Sequence, residues 1–169
     1  DYKMDSLSTY LIMRHSFTIP NIESNEQFKA FKNIVLPKIG EVLDFLTHGN
    51  AEQVGHIKEL LPMHPYTAFL CSEVSNFIGS SNRSVIKFMH DNDSGFEAFL
   101  NNENCYDGDM LMTADTLWDF FYPTFDADPG SVTFTGLFNS FKDKVRAQGE
   151  DYLRVFKVIL LLNALSPKF

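Results

Sequence analysis

Two side chains sit in settings that invite a functional reading. His64 lies between Met63 and Pro65 at the entry to a predicted helix, where the proline holds it out of the helical region. An imidazole placed there can serve as a base or a ligand, or it can simply fix the turn. Arg83 follows Ser81-Asn82 at the start of another predicted helix, where a cation opposes the helix dipole and requires compensation. A carboxylate within the fold can supply it, and so can a phosphate from outside.

The remaining chemistry-bearing residues form no recognised constellation. Three acidic stretches, Asp91-Asn92-Asp93-Ser94-Gly95, Asp107-Gly108-Asp109 and Asp126-Ala127-Asp128, raise the question of calcium. An EF-hand loop counted from Asp91 would need Gly at its sixth position and Glu at its twelfth, where this chain has Phe96 and Asn102. These stretches read as turn formers on a solvated surface. His48 and His56 fall on different predicted elements, and His15 and His90 have no Cys or carboxylate at ligand spacing. No phosphate-binding glycine loop, Gly-x-Ser-x-Gly elbow or His-Glu-x-x-His helix is present, and Cys71 and Cys105 have no partners at zinc spacing. No metal site is expected.

The elements that must position these residues are helical. The 169 residues are 44% hydrophobic and include 17 Phe, enough for a sizeable core and too many for a disordered chain. The formal charge of −8 disfavours direct binding to nucleic acid or an anionic membrane. Ser24-Asn25-Glu26-Gln27 has the form of a capping box, followed by Phe28, Phe31 and Val35 at helical spacing. Pro37 should kink or restart that helix, with Ile39, Leu43 and Leu46 continuing the stripe to His48-Gly49-Asn50. A short helix follows over about 52–61. Tyr66, Phe69, Leu70, Val74, Phe77 and Ile78 then share one helical face.

Val85, Ile86, Phe88 and Met89 mark a further helix, and Phe96, Phe99 and Leu100 a turn or two more. Residues 101–110 and 123–130 read as loops, and Thr113 as the N-cap of a helix carrying Leu117, Trp118, Phe120 and Phe121. Phe134, Leu137, Phe138, Phe141 and Val145 form the clearest stripe. The last helix is apolar nearly all round from Val155 and should be central. No alternating pattern competes, so the fold class is all-α, a compact multi-helix domain with an N-terminal helical arm.

The run Val155 to Leu162 is far short of the roughly 20 residues needed to span a bilayer. Without a secretory signal the glycosylation sequons Asn82-Arg83-Ser84 and Asn92-Asp93-Ser94 are discounted, and two distant cysteines suit a reducing cytoplasm. The start Asp1-Tyr2-Lys3 can be a tag remnant, and an apolar helix near the C-terminus suggests an excerpt from a longer protein.

Several stretches, taken in order, resemble a segment of large bacterial P-loop ATPases, among them the ATPase of BREX-type phage-defence systems. They are Leu61-Pro62-Met63-His64-Pro65-Tyr66-Thr67-Ala68, Ser81-Asn82-Arg83-Ser84-Val85-Ile86-Lys87-Phe88, Gly95-Phe96 with Phe99, Leu111 to Phe121, and Arg154 to Leu162. The resemblance implies a helical, lid-like block C-terminal to the nucleotide-binding core, here residues 61–169, with 1–60 as a lead-in. It implies Arg83 as a nucleotide sensor, His64, Pro65, Thr67, Asn82, Trp118 and Asp119 as structural motif residues, and ATP with Mg bound elsewhere in the parent. Those proteins often carry Gln shortly before the Arg, where this chain has Ser80 and Ser81.

Two functions follow. One is a non-catalytic lid or scaffold segment of a phage-defence ATPase, coupling nucleotide state to movement of other domains or subunits. The other is a free-standing interaction module whose Phe-rich groove binds a partner helix. Complete burial of Phe134, Phe138, Phe141 and the Leu160–Leu162 run would remove the support for a groove.

Overall fold

The computed structural model describes residues 6–16, 26–79, 81–101, 105–106 and 110–165, with side chains at all of these but 6, 81 and 82. Among the described residues the regular structure is helical, with one isolated parallel bridge between Met63 and Met112, so the protein is all-α. The chain divides into two compact units, Asp1–Thr113 and Ala114–Phe169.

The first unit contains α1 (Ser6–Ser16), α2 (Glu26–Thr47), α3 (Ala51–Lys58), α4 (Pro65–Phe77), α5 (Ser81–His90) and α6 (Phe96–Leu100). Helix α4 is its hub, packing on α1, α2, α3 and α5. Its buried residues include Ala68, Cys71, Ser72 and Ser75 beside Leu70 and Val74, and such small side chains let neighbouring helices close on several sides. Burial pushes the Cys71 thiol up to about 12, which makes it an inert core residue.

Pro37 does not divide α2, which runs unbroken through it and buries Phe28, Phe31, Val35, Ile39, Leu43 and Thr47 along one stripe. Burial of that stripe outweighs the ~3 kcal/mol that an interior proline costs. The helix ends as expected, with His48 and Gly49 at positive φ. Asn50 caps α3 by accepting from the backbone N–H groups of Glu52 and Gln53. Ser24, half of the expected capping box, lies outside the described residues. The expected loop at 101–110 is partly a core element. Cys105 is buried, and the Tyr106 ring packs at 5.2 Å on Phe28 and 5.8 Å on Phe31.

The second unit is a three-helix bundle of α7 (Asp115–Ala127), α8 (Val132–Arg146) and α9 (Glu150–Leu165), with a 3-10 turn at Pro129–Ser131. Each helix packs on the other two. Helix α7 continues through Pro123, where a loop was expected, because Phe125 extends the buried stripe of Leu117, Trp118 and Phe121. Its N-cap is Ala114, which makes no side-chain cap bond, in place of the expected Thr113.

Candidate functional site

The two segments around His64 and Met112 are clipped together within the first unit. The Met112 N–H donates to the Pro62 carbonyl at 2.9 Å, and the His64 N–H donates back to the Met112 carbonyl at 3.0 Å. The buried Thr67 hydroxyl donates to that same carbonyl at 2.9 Å. Pro65 occupies the first turn of α4 and is buried. His64 is the N-cap residue of α4: its Nδ1 accepts from the Tyr66 N–H at 3.1 Å, and its ring stacks on Tyr66 with centroids 6.0 Å apart. Hence His64, Pro65 and Thr67 share one turn and together set where α4 begins.

Burial holds the His64 imidazole below its ordinary value of 6.5, since charge is disfavoured away from water. Accepting at Nδ1 also requires that this nitrogen carry no proton. The folded state therefore binds fewer protons than the unfolded chain as the pH falls below 6.5. Stability from this group is complete above that value and declines as the pH drops towards the lower folded value. His64→Asn keeps a cap acceptor and removes the titration. Urea midpoints at about pH 7.5 and about pH 5.5 should converge in the variant relative to the unchanged protein. Equal acid sensitivity in both proteins would refute the capping role.

Arg83 projects from the exposed side of the first turn of α5, and none of the ion pairs among the described residues involves it. The side chain of Asn82 lies outside the described residues. Arg83 shares its face with Lys87 and His90, the latter 3.7 Å from Glu97. No hydrogen bond or ion pair among the described residues connects Arg83 with His64.

In the second unit, Trp118 is the centre of the core, with Phe138 at 5.3 Å, Phe125 at 5.7 Å and Tyr122 at 5.9 Å between ring centroids. Asp119 pairs with Lys157 at 2.8 Å, and the nearly buried Asp115 pairs with Arg154 at 3.3 Å. These two ion pairs fix the register of α7 on α9. Both link residues from the two C-terminal stretches named above, so Asp119 belongs to a helix-pairing set.

The other side of α9 is open. Tyr152, Val155, Ile159 and Leu162 are exposed at 65%, 59%, 49% and 41%, and they recur at spacings that place them along one helical face. On α8, Leu137 and Phe141 are likewise exposed, while Phe138 is buried and meets Phe156 of α9 at 6.3 Å. Helix α7 takes the side of this hairpin that carries Arg154 and Lys157 on α9 and Asn139 on α8, to which Tyr122 donates at 3.0 Å. Helical periodicity then puts Tyr152, Val155, Ile159 and Leu162 of α9 and Leu137 and Phe141 of α8 on the side opposite α7, while the exposed Val132 falls on the Asn139 side. This corrects the expectation that α9 is central: Leu153, Leu160, Leu161, Ala164 and Leu165 are buried, whereas Val155, Ile159 and Leu162 are not. The signal was present as an apolar residue every three or four positions on both sides of one helix.

Among the described residues no group of three or more His, Cys, Asp or Glu is placed to hold a metal ion, and no helix is long and apolar enough to cross a membrane. Comparison with protein-family models, with curated proteins and with solved structures finds no match.

Proposed function

We propose that this chain is a non-catalytic helical docking module and that the open face of α8 and α9 is where it binds. The observation that carries the reading is the row of exposed large apolar residues on a hairpin whose opposite side packs against α7. Soluble proteins seldom leave such a row uncovered unless something binds it. An amphipathic helix is the ligand that suits it, because anchors at three- and four-residue spacing fit between two antiparallel helices.

The sequence resemblance extends this proposal to a lid or scaffold segment of a bacterial phage-defence P-loop ATPase, working in the cytoplasm. ATP and magnesium would then bind outside this chain, and Arg83, exposed at the start of α5, is the residue that would meet phosphate.

Photo-crosslinking from position 155 in the native host tests the docking surface, with position 44 as the exposed control. An adduct from 155 that is identified by mass spectrometry, absent from 44 and lost in Ile159→Glu, is the expected result. An adduct carrying a nucleotide-binding core would also support the ATPase setting. No adduct from position 155 would overturn the docking function.

A further inference from the structure

We propose that the occupant of the α8–α9 face is a second copy of this chain, the two hairpins closing into a four-helix arrangement about a twofold axis parallel to them. The inference rests on the docking reading above and names its partner.

Three properties of the face suit it to itself. The first is register. On α9 the open residues are Tyr152, Val155, Ile159 and Leu162, spaced three, four and three. On α8 the half-buried Phe134 and the exposed Leu137 and Phe141 repeat the spacing of three and four. With the twofold axis along the helices, α8 of one copy crosses over α9 of the other in antiparallel sense. Phe134 then meets Leu162, Leu137 meets Ile159, and Phe141 meets Val155, each pair made twice, as an isologous interface requires.

The second is area. Exposures from 41% at Leu162 to 65% at Tyr152 across the six open residues leave on the order of 600 Å² of side chain uncovered per copy. Two copies together can bury up to about 1,200 Å², against the ~1,000 Å² that a specific interface needs.

The third is charge. Lys144 stands near the C-terminus of α8, its Nζ 5.7 Å from the centre of the Phe141 ring, and exposed Asp151 stands in the first turn of α9. Both lie at the outer edges of the apolar rows. In the twofold arrangement Lys144 of each copy comes beside Asp151 of the other. The basic end of α8, where Arg146 also sits, then faces the acidic start of α9, where Glu150 also sits, and the helix dipoles are complementary.

Sedimentation equilibrium of the purified chain is the test. The 19.3 kDa chain should sediment at twice its mass as its concentration is raised through the micromolar range. Val155→Glu and Ile159→Glu should each weaken the dimer about a hundredfold. Helical circular dichroism and the fluorescence of Trp118, the single tryptophan, should stay unchanged because both positions face solvent in the monomer. Ile86→Glu, at another exposed apolar position, on α5, should leave the dimer intact. Lys144→Glu and Asp151→Lys should each weaken association, and the two together should restore it. A monomer at all concentrations, or a dimer that persists in Val155→Glu/Ile159→Glu, would overturn the proposal. A position-155 adduct to a different protein would overturn the second copy and leave the docking function standing.

Discussion

Gly95→Ala should destabilise the first unit by about 3 kcal/mol or more, whereas Gly40→Ala in the same unit should stabilise it by roughly 0.5–1 kcal/mol. Gly95 has ordinary backbone angles, φ −92° and ψ −163°, so its need is for space rather than for a left-handed conformation. A Cβ built there falls 2.1 Å from the Phe88 carbonyl oxygen and 2.7 Å from the Asp91 Cβ. Neither neighbour can yield freely. Phe88 is fully buried on α5, the helix against which α1, α4 and α6 pack. The Asp91 Oδ1 accepts from the N–H groups of Ser94, Asp93 and Gly95 at 2.7, 2.9 and 3.2 Å, and these bonds, led by the one from Ser94, hold its carboxyl below the usual range. Moving the turn breaks that fan of bonds or displaces Phe88 from the core. At Gly40, by contrast, no atom lies within 4 Å of the added methyl, and alanine loses less entropy on entering a helix. Denaturant unfolding followed by circular dichroism would measure both. A Gly95→Ala loss below about 0.5 kcal/mol would show that the turn relaxes.

Trp118→Ala should cost the second unit about 3–5 kcal/mol, enough to unfold a bundle of only three helices. The indole is 1% exposed and is the ring on which Tyr122, Phe125 and Phe138 converge, so no other side chain can fill the void. Trp118→Phe should cost only about 1 kcal/mol. The Trp118 Nε1 has no hydrogen-bond partner among the described residues, so removing it sacrifices volume and no polar contact. Hydrogen exchange with mass spectrometry should show α8 and α9 losing protection in Trp118→Ala while α4 and α5 keep theirs. Retained protection in α8 would refute the central role of Trp118.

Much of the helical pattern was legible because the apolar spacings are local. The α2 stripe from Phe28 to Leu43, the His48-Gly49 exit and the Pro65 start of α4 all follow from side-chain period and backbone restriction. Neither proline ends its helix, and the reason is the same. Pro37 and Pro123 carry a local cost, but Ile39, Leu43 and Phe125 beyond them have core positions to fill, and that burial exists only once neighbouring helices are present. The packing of Tyr106 was hidden in a polar stretch because its partners, Phe28 and Phe31, lie more than seventy residues away.

His64 was singled out by its neighbours, and its cap bond to Tyr66 follows from them. The carbonyl of Met112, which receives both the His64 N–H and the Thr67 hydroxyl, could not be read locally. The same contrast holds in the second unit. Its heptad-like spacings are in the sequence, since period relates residues along one helix. Period alone does not say which sector of a helix a neighbour covers, and a helix apolar nearly all round, as α9 is, has no phase of its own. Only tertiary packing decides that. Asp115 and Asp119 of α7 draw the Arg154 and Lys157 side of α9 inward, and Val155, Ile159 and Leu162 are left facing out.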